Sequence, residues 1–197
     1  MTFQLYAPGN SAGSFLQAES QVVWGSGNTE TLAKQPTALT AGYVFEIEDY
    51  SFDIEQTLNI GSQGGGAGAG KITFNPFSIT RKIDRASPIF FEMACSGTAF
   101  CQVTLALRKS AGAGGGAGDT SGQIYLRFDF KLVAVKTISW SHDDESPKEE
   151  VTFEYGGLQI RYAPQLSSGD LGTVIPGGWN RVTNTRDQGA SPLKSNS

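Results

Sequence analysis

The sequence predicts a mainly β protein with a single short helix lying against a sheet. Apolar residues alternate with period two over most of the chain, and one stretch alone shows helical spacing. Clusters of glycine separate the strand-like runs. With 197 residues, 39% of them hydrophobic, the chain is long enough for one domain with a real core or a domain plus a tail.

The strands follow in order. In "YVFEIEDYSFDIEQT", Phe45 and Ile47 share one parity, while Tyr50, Phe52 and Ile54 take the other and are expected to pack inward. The switch around Glu48–Tyr50 requires an extra residue, hence a bulge or sharp bend. "KITFNPFSITRKI" switches in the same way, Ile72 and Phe74 giving way to Phe77, Ile79 and Ile83. Pro76 stands at that change, where a strand tolerates the loss of a ladder donor. "QVTLALRK" alternates through Val103, Leu105 and Leu107. "QIYLRFDFKLVAV" sets Ile124, Leu126, Phe128, Phe130 and Leu132 against Tyr125, Arg127, Asp129 and Lys131. "EVTFEYGGLQIRY" gives Val151, Phe153 and Tyr155, then Leu158, Ile160 and Tyr162 after a break at Gly156–Gly157.

The helix is expected over about residues 87–96, in "SPIFFEMACSG". Ser87 reads as its N-cap, Pro88 as its first position and Gly97 as its stop, with Phe90, Met93 and Ala94 on one apolar face. After Tyr162 the composition turns to Gly, Ser and Pro. The chain therefore divides into a β domain over 1–162 and an arm over 163–197, which docks through Trp179 and whose last ten residues are expected to be disordered.

"GSQGGGAGAGK" invites a nucleotide-binding reading, because Gly65, Gly70 and Lys71 satisfy most of a phosphate-cradling loop. Such a loop needs Ser or Thr after the lysine and a helix beyond it. Here Ile72 follows, and the next residues alternate as a strand. A second glycine run, residues 110–122, also joins two strands. Both loops, 61–70 and 110–122, read as long soft hairpin tips suited to touching a neighbour.

Other chemistry is poorly supported. His142 is the sole histidine, and beside Asp143, Asp144 and Glu145 it lacks the convergent spacing of a metal site. No GxSxG elbow is present, so neither an enzyme nor a cofactor is expected. A net charge of −4 argues against nucleic acid. No run reaches membrane-spanning length and no signal peptide is visible, so a protein that starts in the cytoplasm is expected, without membrane insertion. Cys95 and Cys101 read as two small buried thiols. Residues 1–70 hold seven acids and one base, whereas 71–109 hold six bases and two acids. Opposite blocks of this kind either neutralise neighbouring strands or steer copies head to tail.

The stretch "AGKITFNPFSITRKIDRASPIFFEMACSGTAFCQVTLALRK" resembles the haemolysin-coregulated protein (Hcp) family of bacterial type VI secretion. The resemblance rests on Ala69–Lys71, Asp84 to Pro88, Ala94 to Gly97 and Arg108–Lys109, and extends through "YLRFDFKLVAVKTIS", "EEVTFEYGGLQIRYAPQ" and "GGWNRVTN". It implies a two-sheet β-barrel with one short flanking helix, related to phage tail tubes. It also implies hexameric rings that stack into a tube, are expelled by a sheath with a spike, leave the cell without a signal peptide and carry small effectors in the lumen. On that reading Ser51, Asp53 and Glu55 line the lumen. Gly64, Gly65, Gly66, Gly68, Gly70 and Lys71 form a loop reaching the neighbouring subunit. A stand-alone β-sandwich that binds a sugar or peptide through its loops is the alternative.

Overall fold

The computed structural model describes residues 2–6, 19, 45–57, 72–108, 124–142, 146–167 and 171–187. Among them, in chain order, stand β1 (Thr2–Tyr6), β2 (Phe45–Glu46), β3 (Asp49–Ser51), β4 (Ile54–Gln56), β5 (Ile72–Phe74) and β6 (Phe77–Lys82). Helix α1 (Ser87–Ser96) follows, then β7 (Ala99–Arg108), β8 (Ile124–His142), β9 (Pro147–Tyr162), β10 (Ile175–Asn180) and β11 (Thr185–Arg186).

Antiparallel β7, β8 and β9 form the main wall. On one flank β1 pairs with β7 and β2 with β1; on the other β6 pairs with β9 and β3 with β6. β2 and β3 are one stretch of chain, interrupted only at Ile47–Glu48, where Glu48 N–H donates to the Thr80 carbonyl at 2.8 Å. The same stretch therefore meets both flanks and closes the wall into a barrel, by chain continuity rather than an unbroken ladder. The apolar parity switch is this change of partner: Ile47 is buried before it, and Tyr50 and Phe52 pack on the core after it.

Past Phe52 the chain leaves the barrel. Ile54–Gln56 pairs with Ile72–Phe74 as a separate two-stranded ribbon. Ile54, expected inward, is consequently 42% exposed. Asn75–Pro76 links the ribbon back to β6, which fits a proline that offers no ladder donor. After Tyr162 the chain adds to the sheet: β10 pairs with β9 from Gly157 to Tyr162, and β11 pairs with β10.

Aromatic rings fill the barrel. Phe77 and Phe130 stack at 4.2 Å, and Phe52 meets Phe128, Phe130 and Phe77 edge-on at 5.1, 5.3 and 5.8 Å. Such pairs each add about 0.5–1.5 kcal/mol beyond the area they bury. Leu132, expected inward with Phe128 and Phe130, is 57% exposed at φ 51°, and Val133 takes the core position. Ile83 is likewise exposed, since β6 ends at Lys82.

The helix occupies Ser87–Ser96 and stops at Gly97, whose φ of 66° suits a residue without Cβ. Phe90 and Met93 are buried, whereas Cys95 lies on the outer face. Cys101 is exposed as well, so neither thiol is the buried hydrophobe its residue type suggested. Ser87 is not the N-cap. Ala86 holds that place, its N–H bonded at 2.8 Å to Asp84 Oδ1, and the Ser87 hydroxyl donates to Glu149 Oε1 at 2.8 Å.

Glu149 is fully buried and sits opposite Arg81 in the β6–β9 ladder. Arg81 Nη1 lies 3.2 Å from Glu149 Oε1, and Arg81 also pairs with Asp84. Its guanidinium stands 5.5 Å from the Phe90 ring centroid. Trp140 Nε1 donates to Glu149 Oε2 at 3.3 Å, and its ring meets Phe91 of α1. This clasp binds β6, β8, β9 and the start of the helix together. Its sequence signal is parity, because Arg81 follows Phe77 and Ile79 while Glu149 precedes Val151 and Phe153 on core-facing positions.

Two predictions follow from these buried polar groups. Glu149→Ala should lower stability by about 3–5 kcal/mol in urea unfolding, because it takes one carboxylate from the buried Arg81 guanidinium and the acceptor from the Ser87 hydroxyl and the Trp140 N–H. Arg81→Met combined with Glu149→Leu should recover most of that loss. The Tyr155 hydroxyl is buried and finds no hydrogen-bond partner among the described residues. Burial first, and the charge of Asp53 second, push its pKa from 10.0 up to about 12. The tyrosine's contribution is therefore complete below pH 10 and lost as pH rises to 12. Tyr155→Phe should flatten that alkaline loss in urea titrations, and at neutral pH should be neutral or stabilising by about 1 kcal/mol.

Candidate assembly surface

Ser51 ends β3 opposite Ser78 and is exposed on the barrel wall. Asp53, also exposed, stands where the chain turns into the ribbon. Its Oδ2 accepts from Asn75 Nδ2 at 2.6 Å and its carbonyl accepts the Asn75 N–H at 3.1 Å, which fastens the two strands of the ribbon at their base. Glu55 is exposed on the ribbon opposite Thr73. The three residues thus occupy two elements: Ser51 belongs to the wall, Glu55 to the ribbon, and Asp53 to the junction.

The proposed contact-loop residues Gly64, Gly65, Gly66, Gly68, Gly70 and Lys71 lie outside the described residues, as do residues 110–122 and Asp143–Glu145. The flanking structure is informative nonetheless. Residues 57–71 connect the two antiparallel strands of the ribbon, and a strand rather than a helix follows Lys71, so a phosphate-binding helix N-terminus is missing there. His142 is exposed at the end of β8. Trp179 is half-buried on β10 opposite Leu158 and packs on the core, seating the C-terminal hairpin against the barrel.

A charged ladder runs across the wall on the face away from the core. Asp129, 1% exposed, lies level with Thr104 and Gln159; Arg127 lies level with Ala106 and Arg161. Asp129 Oδ1 accepts from Thr104 Oγ1 at 2.6 Å, Gln102 Nε2 at 3.0 Å and Arg127 Nε at 2.8 Å, while Oδ2 faces Arg161 Nη1 at 3.7 Å. Burial lowers the pKa of Arg161, and Asp129 opposes that shift. Alternation places Arg127, Asp129 and Lys131 on a polar face. It carries no sign that the first two are buried, because burial depends on what covers the wall.

Among the described residues no group of three His, Cys, Asp or Glu side chains is placed to hold a metal, and no helix is long and apolar enough to cross a membrane. What the described surface offers is shape and contact. Phe91 and Trp140 form an exposed aromatic pair on one side, and Leu132 and Val182 lie exposed on another.

Comparison with known proteins agrees with the architecture. Over 113 residues the chain is 32% identical to Protein hcp1 of Pseudomonas aeruginosa, covering 56% of this chain and 65% of that protein, just under two thirds of its length. A solved structure of a type six secretion system protein superposes with a TM-score of 0.67 at 20% identity, over 94% of this chain and 99% of the other. Hcp1 from Salmonella typhimurium gives a TM-score of 0.61 at 21% identity, over 94% and 98% of the two chains. At these identities the superpositions establish the fold alone. The family model for the type VI secretion system effector Hcp matches residues 40–162, which hold the closing strand, the ribbon, the helix and the whole β7–β9 wall. The chain belongs to the Hcp family of type VI secretion system proteins.

Proposed function

We propose that this chain is a structural subunit of the type VI tube. It assembles with copies of itself into hexameric rings, and these stack into the inner tube expelled by the apparatus. Family membership across residues 40–162 carries this reading. The amphipathic wall is consistent with it, since a ring presents one face of each subunit to the lumen and another to its surroundings. Small effector proteins ride in the lumen, and sheath and spike proteins are the other partners. The protein is cytoplasmic before firing and extracellular afterwards, and does no catalysis.

Ser51, Asp53 and Glu55 form the lumen-facing strip, and the glycine loop 61–70 reaches a neighbouring subunit, where Lys71 opens the basic block. Glycine suits that task because a long tip with few side chains adapts to a facing surface at little steric cost.

Negative-stain images of the purified protein should show annular particles, and their absence at high concentration would overturn the tube reading. Ser51→Gln should leave the rings intact while retention of a co-expressed effector falls; failure of ring assembly would place Ser51 in a subunit contact instead. Removing two or three glycines from 61–70 should impair ring formation or stacking, seen by size-exclusion chromatography, with the circular dichroism of the monomer unchanged. Normal rings from the trimmed protein would reduce the loop to a spacer.

A further inference from the structure

The three central strands change their core-facing parity at the same level. Core positions pass from Phe100 to Val103 in β7, from Val133 to Phe130 in β8 and from Tyr155 to Leu158 in β9, each a step of three residues where alternation gives two or four. Gln102 pairs with Lys131 and Lys131 with Gly157; Phe100 pairs with Val133 and Val133 with Tyr155. Between those rows Cys101, Leu132 and Gly156 stand level with one another, and none makes a ladder pairing across β7–β9 among the described residues. A parity switch in one strand is a local bulge. Three in register crease the whole wall along a line.

Leu132 is the strained point of that line. At φ 51° it is the one described residue other than glycine that takes the left-handed region inside a strand, a conformation that strains a bulky residue. The crease also coincides with the fork on the outer edge of β9. β6 pairs with β9 only as far as Phe153, and β10 pairs from Gly157 onward.

The C-terminal hairpin lies across this gap. Arg181 N–H donates to the Gly156 carbonyl at 3.0 Å. On one side of the crease Arg181 Nη2 lies 3.7 Å from Glu154 Oε2; on the other Lys131 Nζ lies 2.5 Å from Asp187 Oδ2. A Cβ on Gly156 would meet Val182 Cγ2 at 3.1 Å and Leu132 Cδ2 at 3.2 Å, so those two side chains converge over the glycine. Gly178 makes room for the returning strand, since a Cβ there would stand 2.0 Å from the Asp187 carbonyl oxygen.

We infer that the row Cys101–Leu132–Gly156 is a hinge in the barrel wall and that the C-terminal hairpin of β10 and β11, with Asp187 after it, is the strap that locks it creased. With the strap seated, contacts on both sides of the line hold Leu132 in its strained conformation. When the strap lifts, Leu132 relaxes to negative φ and the two halves of the wall flatten against each other. The curvature of the wall is thereby coupled to the seating of the C-terminal hairpin.

Hydrogen exchange of the full chain, read by mass spectrometry, tests this. Val182→Asp with Asp187→Asn should raise exchange about tenfold in peptides covering 128–136 and 152–156, while α1 and the β6 peptides stay protected. Should that pair fail to fold, Val182→Ala with Asp187→Asn gives the same pattern at smaller amplitude. Adding Leu132→Gly should return exchange close to the starting level, because glycine holds positive φ without strain and keeps the crease unaided. Unchanged exchange along the row, a uniform rise over every strand, or no rescue by Leu132→Gly would each overturn the hinge.

Discussion

Closure of the barrel by one short stretch, Phe45–Ser51, is the constraint on which the other elements depend. Its first half completes the flank begun by β1, and its second half completes the flank begun by β6. Phe52 then enters the core edge-on to three other phenylalanines. A strand that kept one partner throughout would leave two open edges and an unfilled core. The bend at Ile47–Glu48 removes both faults at once, because the change of partner also turns the next apolar residues inward.

Charge is handled differently on the two sides of the wall. Inside, the Arg81–Glu149 pair is joined by Ser87, Asp84 and Trp140, so the helix start is fixed to three strands by directional contacts. Outside, Asp129 gathers Thr104, Gln102 and Arg127 around one oxygen. Buried ion pairs of this kind contribute little net stability when complete, yet removal of a single partner is costly. They fix which groups must meet.

Much of this architecture was legible from residue order. The period-two runs mark the long strands, Pro88 and Gly97 bound the helix, and the parity switches at Glu48–Tyr50 and Pro76 mark where strands change partners. Exposure was harder to read. Ile54 alternates correctly but lies on a ribbon with nothing above it, and Leu132 alternates correctly until a positive φ turns it outward. Arg127 and Asp129 sit on the expected polar face and are buried all the same. In each case local pattern sets the side of the strand, whereas tertiary contact decides whether that side meets water. The surface strip shows the same limit. Ser51, Asp53 and Glu55 share a parity, but the chain changes element between them.

The junction at Asp53 gives the ribbon a mechanical role. The ribbon and the residue that plugs the core are consecutive pieces of chain, with Phe52 one residue before Asp53 and two before β4. Asn75 clamps Asp53 at the base of the ribbon through two hydrogen bonds, and Phe74 packs on Tyr155 at 5.4 Å. A pull on the ribbon tip is therefore delivered to the aromatic core along both strands. The barrel ladder between Phe77–Lys82 and β9 takes that load lengthwise, in shear, so its hydrogen bonds are strained together rather than opened one after another.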